Sequence, residues 1–411
     1  MTRPQLEVAE VIRSCRDVFL QRYGASLTIE QRRALDDLTA CRTAALGGHV
    51  LECPACGHQD VSYNSCGNRH CPKCQATAAA RWLEAQAADL LDTPYFHVVF
   101  SLPGALGPVA LCNPRAVYGL LMRAAAKTLL EVAANPNHLG AELGILAVLH
   151  TWGQSLALHP HVHCVVTGGG LAPDGSRWVA GRDDFFLPVR VLSRVFRGKF
   201  LAGLRAAFER GRLRFPGHLA ALAQPRRFDR LIAETVRTEW VVHATPPLGG
   251  APTIVLKYLA RYTHKTAISN HRLVSLADGR VTFRWKDYAH GGRRSTMILD
   301  AVEFVRRFLM HVLPTGFMRV RHYGLLANRH RQEKLARCRE LLDMTVRPQA
   351  ETPPADLDPV TPPAQEATVT PTRVCPRCGA GRLVVIAELP PMTLVEGTVA
   401  GPEPCLILDS S

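Results

Sequence analysis

LALHPHVHCVVTGGG, residues 156–170, decides how the chain is read. His159, His161 and His163 fall on alternate positions, followed by a short apolar run and three glycines. Successive side chains of a β-strand point to opposite faces, so His161 and His163 project side by side while Val162 turns into a core. Two imidazoles at that spacing suit one divalent ion. His159 is a candidate third ligand, although Pro160 interrupts the ladder and leaves its aim open. A single strand histidine is more often a satisfied core or surface residue, and the closely spaced pair is what favours ligation.

Outward from that stretch, strand and helix signals alternate. YFHVVFSL, residues 95–102, reads as a strand closed by Pro103 and Gly104. Pro114 to Ala134 reads as a long helix, and GILAVLHTWG, residues 144–153, as a second strand. Arg182 to Leu222 reads as mostly helical, and TEWVVHA, residues 238–244, as a strand. Near the N-terminus, helical spacing runs over Gln5 to Tyr23 and again over Thr28 to Leu38. Asp278 and Gly279 separate two alternating runs as a hairpin turn. On the second run Val281, Phe283 and Trp285 share a packing face, and Arg280, Thr282, Arg284 and Lys286 share a basic one. Residues 345–372 shift to Pro, Thr, Ala and Glu and read as a disordered linker, leaving a short tail over 373–411.

The chain has 411 residues, 47% of them apolar, enough for two or three domains. Its net charge of +14 favours a polyanionic partner, with nucleic acid foremost. No segment is a membrane span free of charge and proline, and the N-terminus lacks an apolar signal core, so the expected location is the cytosol, with no membrane partner. In a reducing compartment, clustered cysteines among the 13 present are metal ligands before they are disulfides.

CPAC (Cys53, Cys56) and CPKC (Cys71, Cys74) are two knuckles separated by residues 57–70, a gap near the zinc-ribbon range, and four thiolates suit one structural Zn2+. Cys41, His49, Cys66 and His70 are candidates for a second, interleaved zinc. The C-terminal CPRC, Cys375 to Cys378, has only a lone Cys405 beyond it and reads as an incomplete site.

KYLARYTHK, residues 257–265, places Tyr258 and Tyr262 four apart, on one face of a helix, with Lys265 nearby. Alone, such a pair is most simply amphipathic packing. A phenol, with an unperturbed pKa of about 10, needs a nearby cation or a metal-polarised phosphate before it attacks. A histidine pair and a basic chain supply those parts.

Here a resemblance becomes specific. HVH followed by a YxxxY helix is similar to the HUH endonucleases. CRTAALGGHV, YNSCGNRHCPKCQ, LHPHVHCVVTGGG, YLARYTHKTAISNHRL and RHYGLLANRHR resemble the insertion-sequence ninety-one family, the two-tyrosine rolling-circle transposases, over residues 5–340. The resemblance implies an α+β fold: an HUH-type antiparallel sheet flanked by helices over residues 90–340, behind an N-terminal zinc-binding DNA-recognition module over residues 1–85. It implies Mg2+ or Mn2+ held by His161 and His163, with His159, Gln154 and His264 open as third ligand. Tyr258 and Tyr262 match the nucleophiles that form a 5′-phosphotyrosine link. The implied partners are single-stranded DNA at the ends of a mobile element and target DNA, with one or two structural zinc ions. Lys265, Arg272, Arg284, Lys286, Arg319, Arg321, Arg329 and Arg331 are candidates to track phosphates, and Trp285, Tyr288 and Tyr323 to stack bases. A replication initiator or relaxase-like nickase shares the chemistry; a zinc-dependent DNA-binding regulator shares the charge and the cysteines.

Overall fold

The computed structural model describes residues 4–75, 82, 86–182, 187–246, 255, 263, 265–287, 291–342 and 373–392. The linker read from composition at 345–372 lies outside them.

The main sheet is antiparallel and ordered β11 (Val320–Gly324), β4 (Glu142–Trp152), β5 (Leu158–Leu171), β3 (Tyr95–Ser101), β7 (Val242–Ala244), with β6 (Trp178–Ala180) on the far end of β5. Period-2 alternation splits the faces cleanly. Val162, Cys164 and Val166 of β5, Ile145, Ala147 and Leu149 of β4, and Val98 and Phe100 of β3 lie in the largest core. Helices Pro114–Ala134 and Val189–Glu209 cover that face, contributing Leu121, Leu129, Phe196 and Phe200. Pro114 suits the first turn because its missing N–H is unneeded there. The opposite face carries His97, His150, His161 and His163 at one end and Tyr95, Leu146 and Val165 at the other.

A second core joins segments remote in sequence. Helices α1 (Val8–Tyr23) and α2 (Ile29–Ala40) bury Val8, Ile12, Phe19 and Leu35 against Ile268, Phe283, Phe304 and Phe308. Thr28 opens α2 with a capping box: its hydroxyl accepts from the Gln31 N–H at 3.2 Å while its own N–H donates to the Gln31 side chain at 3.0 Å. The partner sheet is β8 (Leu273–Ala277), β9 (Arg280–Asp287) and β10 (Arg293–Asp300). Asp278 and Gly279 turn β8 into β9 with φ of 50° and 70°, the left-handed pair that a two-residue hairpin requires. Val281 and Phe283 are buried and Trp285 packs beside them, as the alternation predicts.

The third sheet is ordered β12 (Val384–Leu389), β1 (Gly48–Glu52), β2 (Gln59–Tyr63), so the C-terminal tail adds an edge strand to an N-terminal hairpin. Among the described residues no helix is long and apolar enough to cross a membrane.

Candidate active site and metal centres

β4 and β5 pair so that His150 stands opposite His161 and Val148 opposite His163. Both strands alternate, so His150 shares a face with the HVH pair. One ligand atom from each of His150, His161 and His163 lies within 4.8 Å of the others. The ring of His150 is 4.5 Å from that of His163 and 5.5 Å from that of His161, centroid to centroid. His161 Nδ1–H donates to the His159 carbonyl at 2.6 Å, which leaves Nε2 as the nitrogen with a lone pair able to ligate a metal. His163 Nδ1 meets His97 Nε2 at 2.8 Å, and the two rings stack. His97 is therefore a supporting contact that the sequence reading missed, as it missed His150. His159, the expected candidate, is exposed and outside the trio; its carbonyl, rather than its ring, supports His161.

Desolvation pushes His161 down to about 4 and His163 further below the ordinary histidine range, with the positive charge of Lys265 adding to both shifts. These imidazoles are neutral near pH 7, the state in which nitrogen ligates metal.

Tyr258, Tyr262 and His264 lie outside the described residues. Their described neighbours are anchored. Val255 is fully buried with Tyr95, Leu146 and Val165, on the histidine face of the sheet. The buried guanidinium of Arg319 donates to the Thr263 carbonyl at 2.6 Å and the Lys265 carbonyl at 3.0 Å.

Eight cysteines gather into two sets, Cys41, Cys66, Cys71, Cys74 and Cys53, Cys56, Cys375, Cys378, each with its sulfurs within 4.8 Å of one another. Cys53 and Cys56 thus do not join Cys71 and Cys74, contrary to the single four-thiolate site expected from the knuckle spacing. The reason is the hairpin between them. β1 and β2 pair from Glu52–Gln59 to Gly48–Tyr63, and five residues at about 3.3 Å each hold the CPAC tip roughly 15 Å from the base. Cys41 and Cys66 flank that base and meet CPKC there. His49 and His70, offered as further ligands, belong to neither set. His70 Nε2 accepts the Leu313 N–H at 3.3 Å, and Arg69 donates to the carbonyls of Leu313, Pro314 and Phe317. The base set is thereby docked on the turn after Ala301–Leu309. Its Sγ separations of 3.6, 3.6 and 3.7 Å match a tetrahedral ion, for which sulfurs at about 2.3 Å from the metal stand about 3.8 Å apart.

Comparison with known proteins decides the family. Residues 144–334 match the family described as "Putative transposase", and residues 11–102 match "Transposase zinc-binding domain". The chain is 52% identical over 388 residues to "Putative transposase y4qJ" of Sinorhizobium fredii, covering 94% of this chain and 96% of that one. It is 30% identical over 324 residues to "Transposase for insertion sequence element IS801" of Pseudomonas savastanoi pv. phaseolicola, covering 75% and 73%. The chain belongs to the insertion-sequence ninety-one family of transposases. No solved structure matches it. The zinc-binding domain of this transposase takes in most of α1, then α2, the β1–β2 hairpin, all four base cysteines and β3.

The basic residues of the transposase divide into anchors and exposed groups. Arg319 commits its guanidinium to main-chain carbonyls. Arg272 donates to the Arg284 carbonyl at 2.7 Å and to the Gln154 carbonyl, with its guanidinium over the Phe283 ring. Arg331 pairs with Asp89 at 3.2 Å, and Arg321 donates to Met318 and lies over Phe317. Arg284, Lys286 and Arg329 are exposed, as is Lys265. Trp285 and Tyr323 are half-buried against the second and main cores, and Tyr288 lies outside the described residues.

Proposed function

We propose that this transposase cleaves and rejoins single-stranded DNA at the ends of its mobile element by tyrosine transesterification, with Tyr258 and Tyr262 as nucleophiles. The observation that carries the reading is the three-histidine face of β4 and β5, flanked by the anchored residues Val255, Thr263 and Lys265 on either side of the tyrosines.

His150, His161 and His163 would hold one divalent ion, and that ion would draw charge from the scissile phosphate. Three imidazoles without a carboxylate suit Mn2+ better than the oxygen-seeking Mg2+. His97 and the His159 carbonyl fix the rings of His163 and His161. Lys265 adds positive charge beside them, which favours a phosphate over a neutral ligand. A tyrosine oxygen attacks phosphorus and loses its proton; the phosphorus bond to the 3′-oxygen breaks, and that oxygen takes up a proton. The product is a 5′-phosphotyrosine and a free 3′-hydroxyl. Attack by another strand's 3′-hydroxyl reverses the step and returns the phenol, so strands join without ATP. Two tyrosines allow two such links in succession.

The base cysteines Cys41, Cys66, Cys71 and Cys74 hold a structural zinc on this reading, leaving no open coordination position for catalysis. The test is metal-dependent cleavage of a single-stranded element end by the parent, His150→Ala and His161→Ala. Equal loss in both variants supports the trio; full activity in His150→Ala removes His150 from it.

A further inference from the structure

We propose that Cys53, Cys56, Cys375 and Cys378 form a second tetrathiolate zinc site that clasps the C-terminal tail to the N-terminal hairpin. The matched zinc-binding domain ends at residue 102, so two of the four ligands lie far outside it.

Four independent observations converge on the site. The sulfurs are spaced for one ion: Cys53 to Cys378 is 3.8 Å and Cys56 to Cys375 is 3.7 Å, across sequence separations of 325 and 319 residues. These distances fit the tetrahedral edge of about 3.8 Å and are far from the roughly 2.05 Å of a disulfide. The two CxxC turns are built alike. Gly57 N–H donates to the Cys53 carbonyl at 2.8 Å, Gly379 N–H donates to the Cys375 carbonyl at 3.0 Å, and both glycines have φ of 67°. That left-handed position after the second cysteine closes each knuckle at little cost only for glycine.

The approach of the tail is close as well. A Cβ at Gly381 would stand 2.4 Å from Cys53 Sγ, and Gly381 N–H donates to Cys378 Sγ at 3.3 Å. Glycine at this position lets the tail main chain reach the sulfurs and supplies the N–H···S contact that thiolate ligands accept. Finally, strand pairing delivers the knuckle to the tip: β12 runs antiparallel to β1 with Val384 opposite Glu52, the residue before Cys53.

The apolar core here cannot hold the tail by itself. It consists of Leu51, Cys53, Cys375 and Leu383, while Val384, Val385 and Ile386 of β12 are 40–50% exposed. A three-stranded sheet with so little buried surface needs a metal or another staple, and a bound ion contributes its binding energy directly to folding. The clasp thereby ties residues 373–392 to β1 and closes the chain into a loop running from the hairpin through the nuclease sheet and back.

The experiment counts zinc and maps thiols in the full chain. The parent should carry two zinc ions per chain. Cys375→Ser/Cys378→Ser should carry one, and adding Cys53→Ser should remove no more. In native protein treated with iodoacetamide and digested, Cys53 and Cys56 should gain label in the tail variant while Cys41, Cys66, Cys71 and Cys74 stay protected. That protection shows the rest of the chain to be folded. A tail variant that keeps the parent's zinc content, with Cys53 and Cys56 still protected, would overturn the clasp.

Discussion

His150 on β4 sits directly across from His161 on β5, and the two rings meet edge to face with centroids 5.5 Å apart. Ten residues and a strand reversal separate them in sequence, yet the pairing sets both on the face that carries His163. If this trio holds the ion, His150→Ala should reduce cleavage as severely as His161→Ala. His97→Ala, which acts on the ion through His163, should cost less, about 10- to 100-fold, the usual range for a residue behind a metal ligand. Single-turnover cleavage rates across a metal titration separate the cases, because added metal should partly rescue His97→Ala.

The donor set also speaks to the choice of ion. With three nitrogens and no carboxylate in the trio, half-maximal activity should need several-fold less Mn2+ than Mg2+. Titrating both metals into metal-free protein measures the ratio, and a preference for Mg2+ would point to an oxygen ligand in place of an imidazole.

Arg319 anchors the main chain at Thr263 and Lys265, directly after Tyr262 in sequence. Its two bonds to the Thr263 and Lys265 carbonyls are charge-assisted and buried, each worth about 1.5–3 kcal/mol on the usual scale. Arg319→Gln should lower unfolding stability by that order and depress covalent cleavage while leaving the salt dependence of DNA binding nearly unchanged. Arg284→Ala and Arg329→Ala, at exposed positions, should do the reverse: stability holds, and the log–log salt slope drops by about 1 for each phosphate that the variant no longer neutralises. Chemical denaturation and binding isotherms at several salt concentrations check both halves.

His311 sets a pH limit on stability. Its Nε2–H donates to the Leu156 carbonyl at 3.1 Å, its Nδ1 accepts from the Thr151 hydroxyl at 3.2 Å, and burial pushes it down to about 4. The unfolded imidazole, near 6.5, takes its proton first as pH falls. The stability this group supports is therefore complete above about pH 6.5 and is lost between there and about 4, at up to about 1.4 kcal/mol per pH unit. His311→Gln should flatten that part of a plot of unfolding free energy against pH.

How much of this was legible in the sequence depended on the range of the signal. The helix at Pro114–Ala134, the β8–β9 turn at Asp278–Gly279 and the inward face of Val281 and Phe283 follow local rules, and the structure places them where those rules point. The shared face of His161 and His163 was readable because both histidines sit on one strand. His150 and His97 were not, since strand register is set by tertiary pairing. The cysteines show the same limit. Spacing marked CPAC and CPKC as knuckles, but hairpin length decides which sulfurs meet, and only the pairing of β12 with β1 reveals where CPRC goes.

Attack by Tyr258 or Tyr262 on DNA held at the histidine face is tested by a denaturing gel of purified protein incubated with Mn2+ and end-labelled single-stranded DNA spanning the element's end, for the parent, Tyr258→Phe, Tyr262→Phe and the double variant. A labelled covalent band should form with the parent, persist in at least one single variant, and be absent from the double variant and from His161→Ala. A covalent band of undiminished intensity in the double variant would contradict it, as would cleavage that leaves no protein attached to the DNA.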